Sequence, residues 1–147
     1  MPKKKWPPPE FPIVEGDHLL TETWAIHLPD KFARRIEDED LVLWRPGLTL
    51  WVTPWGNDRS ESQSKRLKAI KKHASPDRFS ESECKTDRLT RYVYRLRDEN
   101  ENGIVESMFA YILNDDGHLQ MAVYFDNPKD EPKARALADS VTEWARA

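Results

Sequence analysis

The sequence predicts an α+β domain built on a mostly antiparallel sheet, and three observations predict it. Apolar and polar residues alternate over short stretches rich in branched and aromatic side chains, as half-buried strands require. Helical spacing of apolar residues occurs at only two places, mid-chain and at the C-terminus. Short clusters of Asp, Asn, Gly and Pro separate neighbouring strand-like stretches, as hairpins require. The expected order is ββ(β)αβββα, with about six strands and both helices packed on the sheet. The length of 147 residues suits one domain better than two thin ones.

The elements follow in order. Five of the eleven prolines fall in the first twelve residues, so residues 1–15 read as a proline-rich, extended arm and residues 16–147 as the domain. Trp24, Ile26 and Leu28 alternate with Thr23, Ala25 and His27, a strand that Pro29 and Asp30 are expected to end. A weaker strand is expected over Phe32 to Ile36. Leu41–Arg45 and Leu48–Thr53 flank Pro46-Gly47 and read as a hairpin. Asp58 and Glu61 have capping-box spacing, and Leu67, Ile70 and Ala74 then recur at helical spacing, predicting a helix over 60–74. Ser75 to Thr86 reads as a polar loop. Strands are expected at 89–97, 104–113 and 119–125, joined as a meander by Asp98–Gly103 and Asn114–Gly117. A terminal helix should start near Asp130 and bury Ala134, Leu137, Ala138, Val141, Trp144 and Ala145.

Composition narrows the chemistry. Lys plus Arg number 23 against 26 Asp plus Glu, a net charge of −3, which argues against a dedicated nucleic-acid binder. The single Cys84 excludes an internal disulfide framework and a multi-cysteine metal site, and reads as an incidental surface thiol. No apolar h-region follows the basic start and no run approaches the ~18 apolar residues of a membrane span, so a cytoplasmic protein without membrane contact is expected. There is no Gly-x-Ser-x-Gly elbow and no phosphate-cradling glycine loop. Asp98, Asn100, Asn102 and Gly103 copy half of a calcium loop, but position twelve is Phe109 instead of Glu and the flanks read as strands. A hairpin tip accounts for the same letters. Neither a catalytic residue, a metal nor a cofactor is expected.

Aromatic residues carry the strongest signal. Val42 and Trp44 share one strand face, as do Trp51, Thr53 and Trp55, while Leu41, Leu43, Leu48, Leu50 and Val52 already supply a core on the opposite faces. Either the following helix covers the tryptophans or they form a binding patch. That helix is basic, and Lys65, Lys68 and Lys72 lie beside Trp55 in sequence. On the meander, Arg91, Arg95 and Arg97 are expected to pair with Glu106 across strands.

The Trp24–Pro29 strand, the meander, the mid-chain helix, the Gly117–Asp126 segment and the terminal helix together resemble the PsbP/DcrB-like α/β/α fold. The resemblance covers roughly residues 20–147 and lies in element order and strand flavour. It implies a binding partner, accessory subunit or secretion-effector chaperone more often than an enzyme. Gly117 to Asp126 also looks like small uncharacterised bacterial proteins, toxin-immunity proteins among them. No functional residue of the family maps onto this chain.

The leading expectation is a non-enzymatic bacterial protein that binds another protein through Trp44, Trp51, Trp55, Lys65, Lys68 and Lys72. One alternative is a small-molecule or hydrolytic cleft beside the sheet using His27 or His118 with nearby carboxylates. Another is nucleic-acid binding through the basic helix.

Overall fold

The computed structural model describes residues 6–144, which form a single antiparallel sheet with helices on both faces. The strands are β1 (Ile13–Leu19), β2 (Trp24–Glu37), β3 (Asp40–Arg45), β4 (Leu48–Gly56), β5 (Phe79–Thr86), β6 (Leu89–Asn100), β7 (Gly103–Leu113), β8 (Gly117–Phe125) and β9 (Thr142–Glu143). The helices are α1 (Gln63–His73), between β4 and β5, and α2 (Glu131–Ser140), which follows a 3-10 turn at Pro128–Asp130. Strand order is β1-β2-β3-β4-β8-β7-β6-β5, with β9 pairing β2. The second half of the chain thus folds back so that β8 lies against β4.

The α+β class holds, but the sheet has nine strands where about six were expected, and the element order differs accordingly. Three differences account for this, each with a local cause. First, β2 runs straight through Pro29. The ladder to β1 breaks between Val14 and Gly16, whose partners are Phe32 and Leu28. Pro29 therefore sits in a bulge where no N–H is asked for, one of the places where a sheet tolerates proline. β1 itself starts at Ile13, inside the segment read as the arm; before it, Pro12 accepts from Arg34 N–H at 3.0 Å. Residues 1–5 lie outside the described residues.

Second, the segment read as a polar loop is edge strand β5, whose residues are nearly all exposed. With no buried face it has no alternation to detect. Its charged side chains suit an unpaired edge, where apolar ones would invite aggregation. Third, α2 stops at Ser140. Val141 turns extended and β9 takes the open edge of β2 at Trp24 and Ala25. Arg91, expected to pair with Glu106, instead donates to the carbonyl oxygen of Val141 at 2.5 Å, just past the helix end. Trp144 therefore lies beyond the helix, and Ala145 is outside the described residues.

Helix α1 starts at Gln63, not at Ser60. Ser62 accepts from Lys65 N–H as the N-cap, and Asn57, not Asp58, accepts from Glu61 N–H. The β3–β4 hairpin has a two-residue loop, with Arg45 opposite Leu48 and Gly47 at φ +78. Pro followed by a positive-φ Gly is the type II arrangement.

Pairing register sorts the sheet into two faces. Leu41, Val52, Met121, Ala110 and Val93 line up across β3, β4, β8, β7 and β6. They face α2, whose Ala134, Leu137, Ala138 and Val141 complete the main core. One residue along, Val42, Trp51, Ala122, Phe109 and Tyr94 line up on the opposite face. There α1 closes a smaller core, Leu67 packing with Tyr92, Tyr94, Tyr111 and Leu113.

Candidate functional site

On this outer face α1 covers the tyrosines of β6 and β7 and leaves the β4–β8 end open. Trp51 and Phe109 are half-buried, Tyr124 is 38% exposed and Trp55 is 54% exposed. Trp44 is half-buried, with Phe11 edge-on at 4.9 Å and the Arg35 guanidinium 4.6 Å over its ring. Phe109 meets Tyr124 edge-on at 6.4 Å. The strands hold these rings on a stiff support, and each ring has only two rotors to freeze on contact.

Where α1 meets this face, a cleft opens. Its sheet side consists of Trp55, Tyr111, His118 and Gln120, and its helix side of Ala69, Ile70 and His73, around a volume of about 460 Å³. A second cavity of about 330 Å³ shares Ala69, Ile70 and His118 and extends toward Asn57–Arg59. Trp55 lies directly opposite His118 in the β4–β8 ladder, their rings nearly parallel at 16° with centroids 6.2 Å apart. Trp55 Nε1 donates to Gln120 Oε1 at 3.0 Å.

Two residues fix this arrangement. A Cβ on Gly117 would lie 2.1 Å from the Trp55 carbonyl oxygen, so only glycine permits β4 and β8 to approach here. Arg66, buried under α1, donates to the carbonyl oxygens of Asn114 and Gly117, the latter at 2.9 Å. It ties the helix to the turn that launches β8 and hence to His118. Burial first, and the Arg66 charge second, push His118 down to about 4, so its imidazole is neutral at pH 7. Its Nδ1 is buried with no hydrogen-bond partner among the described residues. Burial also pushes the Tyr111 hydroxyl well up, keeping it protonated.

The structure brings Trp51 and Trp55 onto one face with Trp44 on the neighbouring strand. Lys65, Lys68 and Lys72 are exposed on α1 and line none of these cavities, the helix turning Ala69, Ile70 and His73 to the cleft instead. Lys65 lies 3.9 Å from Glu61. Of the two histidines considered for a cleft, His118 lines one and His27 sits in a separate depression bordered by Asp17, Ser140 and Trp144. There His27 Nδ1 lies 2.9 Å from Asp17. Ser140 Oγ, however, accepts from the His27 backbone N–H and donates to the Leu137 carbonyl, so the three are not a nucleophilic triad. Asn100 and Gly103 close a two-residue hairpin, with Asn102 N–H donating to Asn100 Oδ1.

Tyr111, Gln120, Phe109 and Tyr124 were not among the residues expected at the contact surface or in a cleft. Gln120, Ala122 and Tyr124 alternate visibly, but only the β4–β8 pairing, about 70 residues apart in the chain, places them beside the tryptophans.

No helix among the described residues is long and apolar enough to cross a membrane. No family model matches the chain, and no curated protein matches it. It is similar in fold to a solved protein from Bacteroides thetaiotaomicron VPI-5482, with a TM-score of 0.68 at 9% identity, over 90% of this chain and 50% of that one. The chain thus spans about half the length of that neighbour, and the likeness is one of fold.

Proposed function

We propose that this chain acts in the bacterial cytoplasm by binding another protein, as an accessory, chaperone-like or immunity factor, and that the outer face of β3, β4, β8 and β7 is its contact surface. One observation carries the reading. Trp55, Tyr124, Trp44, Trp51 and Phe109 remain partly or largely exposed on one rigid face, while the core of the same sheet is complete on the other. The exposed part of a ring adds no core burial, and apolar surface gathered on one face marks an interaction site. Aromatic anchors on a rigid frame are what concentrates binding energy at protein interfaces.

Arg35 over Trp44 adds a cation at the border of the patch, and the exposed Lys65, Lys68 and Lys72 supply charge beyond it. Such a border favours encounter and register more than affinity. The test is capture from the source organism's lysate with the wild type and a Trp55→Ala/Tyr124→Ala variant side by side. A protein retained by the wild type and about thirtyfold less by the variant, whose Tm stays within about 3 °C, is the expected result. Equal retention by both would remove the outer face as the contact surface.

A further inference from the structure

We propose that the cleft between α1 and the β4–β8–β7 strands is a binding site for an uncharged planar heteroaromatic molecule, of one or two fused rings, with a hydrogen-bond acceptor on its edge. The proposal goes beyond protein binding: it concerns the cleft wall, which shares Trp55 with the open outer face but not Tyr124, Trp44, Trp51 or Phe109.

Size and lining set the ligand's class. About 460 Å³ lies within the range of small-molecule sites. The walls are the Trp55, Tyr111, His118 and His73 rings with Ile70 and Ala69, and among the described residues no Lys, Arg, Asp or Glu lines the cleft. An ionised ligand would leave water for a wall that offers no Lys, Arg, Asp or Glu among the described residues, a cost that a neutral one avoids. Trp55 and His118 lie nearly parallel, offering flat surface to a flat molecule.

The polar groups set the edge. Gln120 Oε1 already accepts from Trp55, which leaves the Gln120 amide N–H₂ to an incoming acceptor. His118 is neutral and has one proton to place. Buried Nδ1 finds no acceptor among the described residues, and a buried N–H without an acceptor is the rarer defect, so the proton belongs on Nε2. On the sheet side of the cleft the Gln120 amide and the His118 ring are then both donors, with His73 on the helix side. A ring nitrogen or carbonyl satisfies them, whereas a molecule with only a donor does not.

The experiment titrates the full chain, labelled with ¹⁵N and with ¹³C in histidine, at pH 7.5 with quinoline as the probe. Indole, which lacks an acceptor, and quinoline-4-carboxylate, which is charged, serve as comparisons. Quinoline is expected to move the Trp55 indole N–H and His118 ring signals saturably, at least about tenfold more tightly than either comparison. His118→Phe should abolish the response. Ala69→Trp, which fills the cleft from an exposed helix position, should also abolish it and decides the matter where His118→Phe does not fold. Tyr124→Ala should leave it unchanged, so this proposal and the protein-binding reading fail separately. The site is overturned by an absent saturable response to quinoline, by a response that survives Ala69→Trp, or by carboxylate or indole binding as tightly as quinoline.

Discussion

His118 is a residue whose protonation works against the fold. Burial, and after it the Arg66 charge, hold its imidazole near 4 in the folded chain, against about 6.5 when unfolded. Between those values the unfolded chain binds more protons, so stability falls as pH drops from about 6.5 and levels off below about 4. Urea unfolding of wild type and His118→Phe at pH 7.5 and pH 4.5 checks this. The wild type should lose stability relative to the variant at the lower pH; parallel losses would contradict it. Glu106 shows the opposite arrangement: it is buried and bonded by Arg95 at 2.5 Å and Arg97 at 2.7 Å. Glu106→Gln leaves the largely buried Arg95 without its countercharge and should cost about 3 kcal/mol in chemical denaturation. This pairing of Arg95 and Arg97 was legible in the sequence, because cross-strand partners follow from a short hairpin. The Arg91 contact was not, because it depends on where α2 ends.

At the scale of elements, the strands that alternate and the helices with a clear stripe were legible, and those without a buried face were not. β5 lies at a sheet edge with little to bury, so periodicity carried no signal for it. Pro29 misled for a different reason. Its missing N–H is a local fact, whereas the bulge that makes it harmless belongs to the pairing with β1. Gly117 is the element-level determinant of the candidate site, since β4 and β8 meet there with no room for a Cβ. Gly117→Ala must push the strands apart at Trp55 and His118. It should cost about 1–3 kcal/mol, the range of other overpacked sites. It should also shift the Trp55 indole N–H resonance; an unchanged Tm and spectrum would show that the approach is looser than described.

Across the whole molecule, the candidate surface is a product of topology. The sequence marks Trp51 and Trp55 as sharing a face, and separately marks Gln120, Ala122 and Tyr124 as sharing one. Only the return of β8 to β4 joins the two sets, and no local pattern encodes which strand the meander meets. The same topology sends α2 to one face and α1 to the other, and α1 spans only the β6–β7 end. The open remainder is where the tryptophans lie. The most direct measurement of their role is oxidative footprinting of the chain, alone and with the protein it captures. Protection is predicted at Trp55, Tyr124 and Trp44, with Trp144, also exposed but beyond α2 beside β9, reacting equally in both samples. Protection at Trp144 with none at Trp55 or Tyr124 would contradict the account.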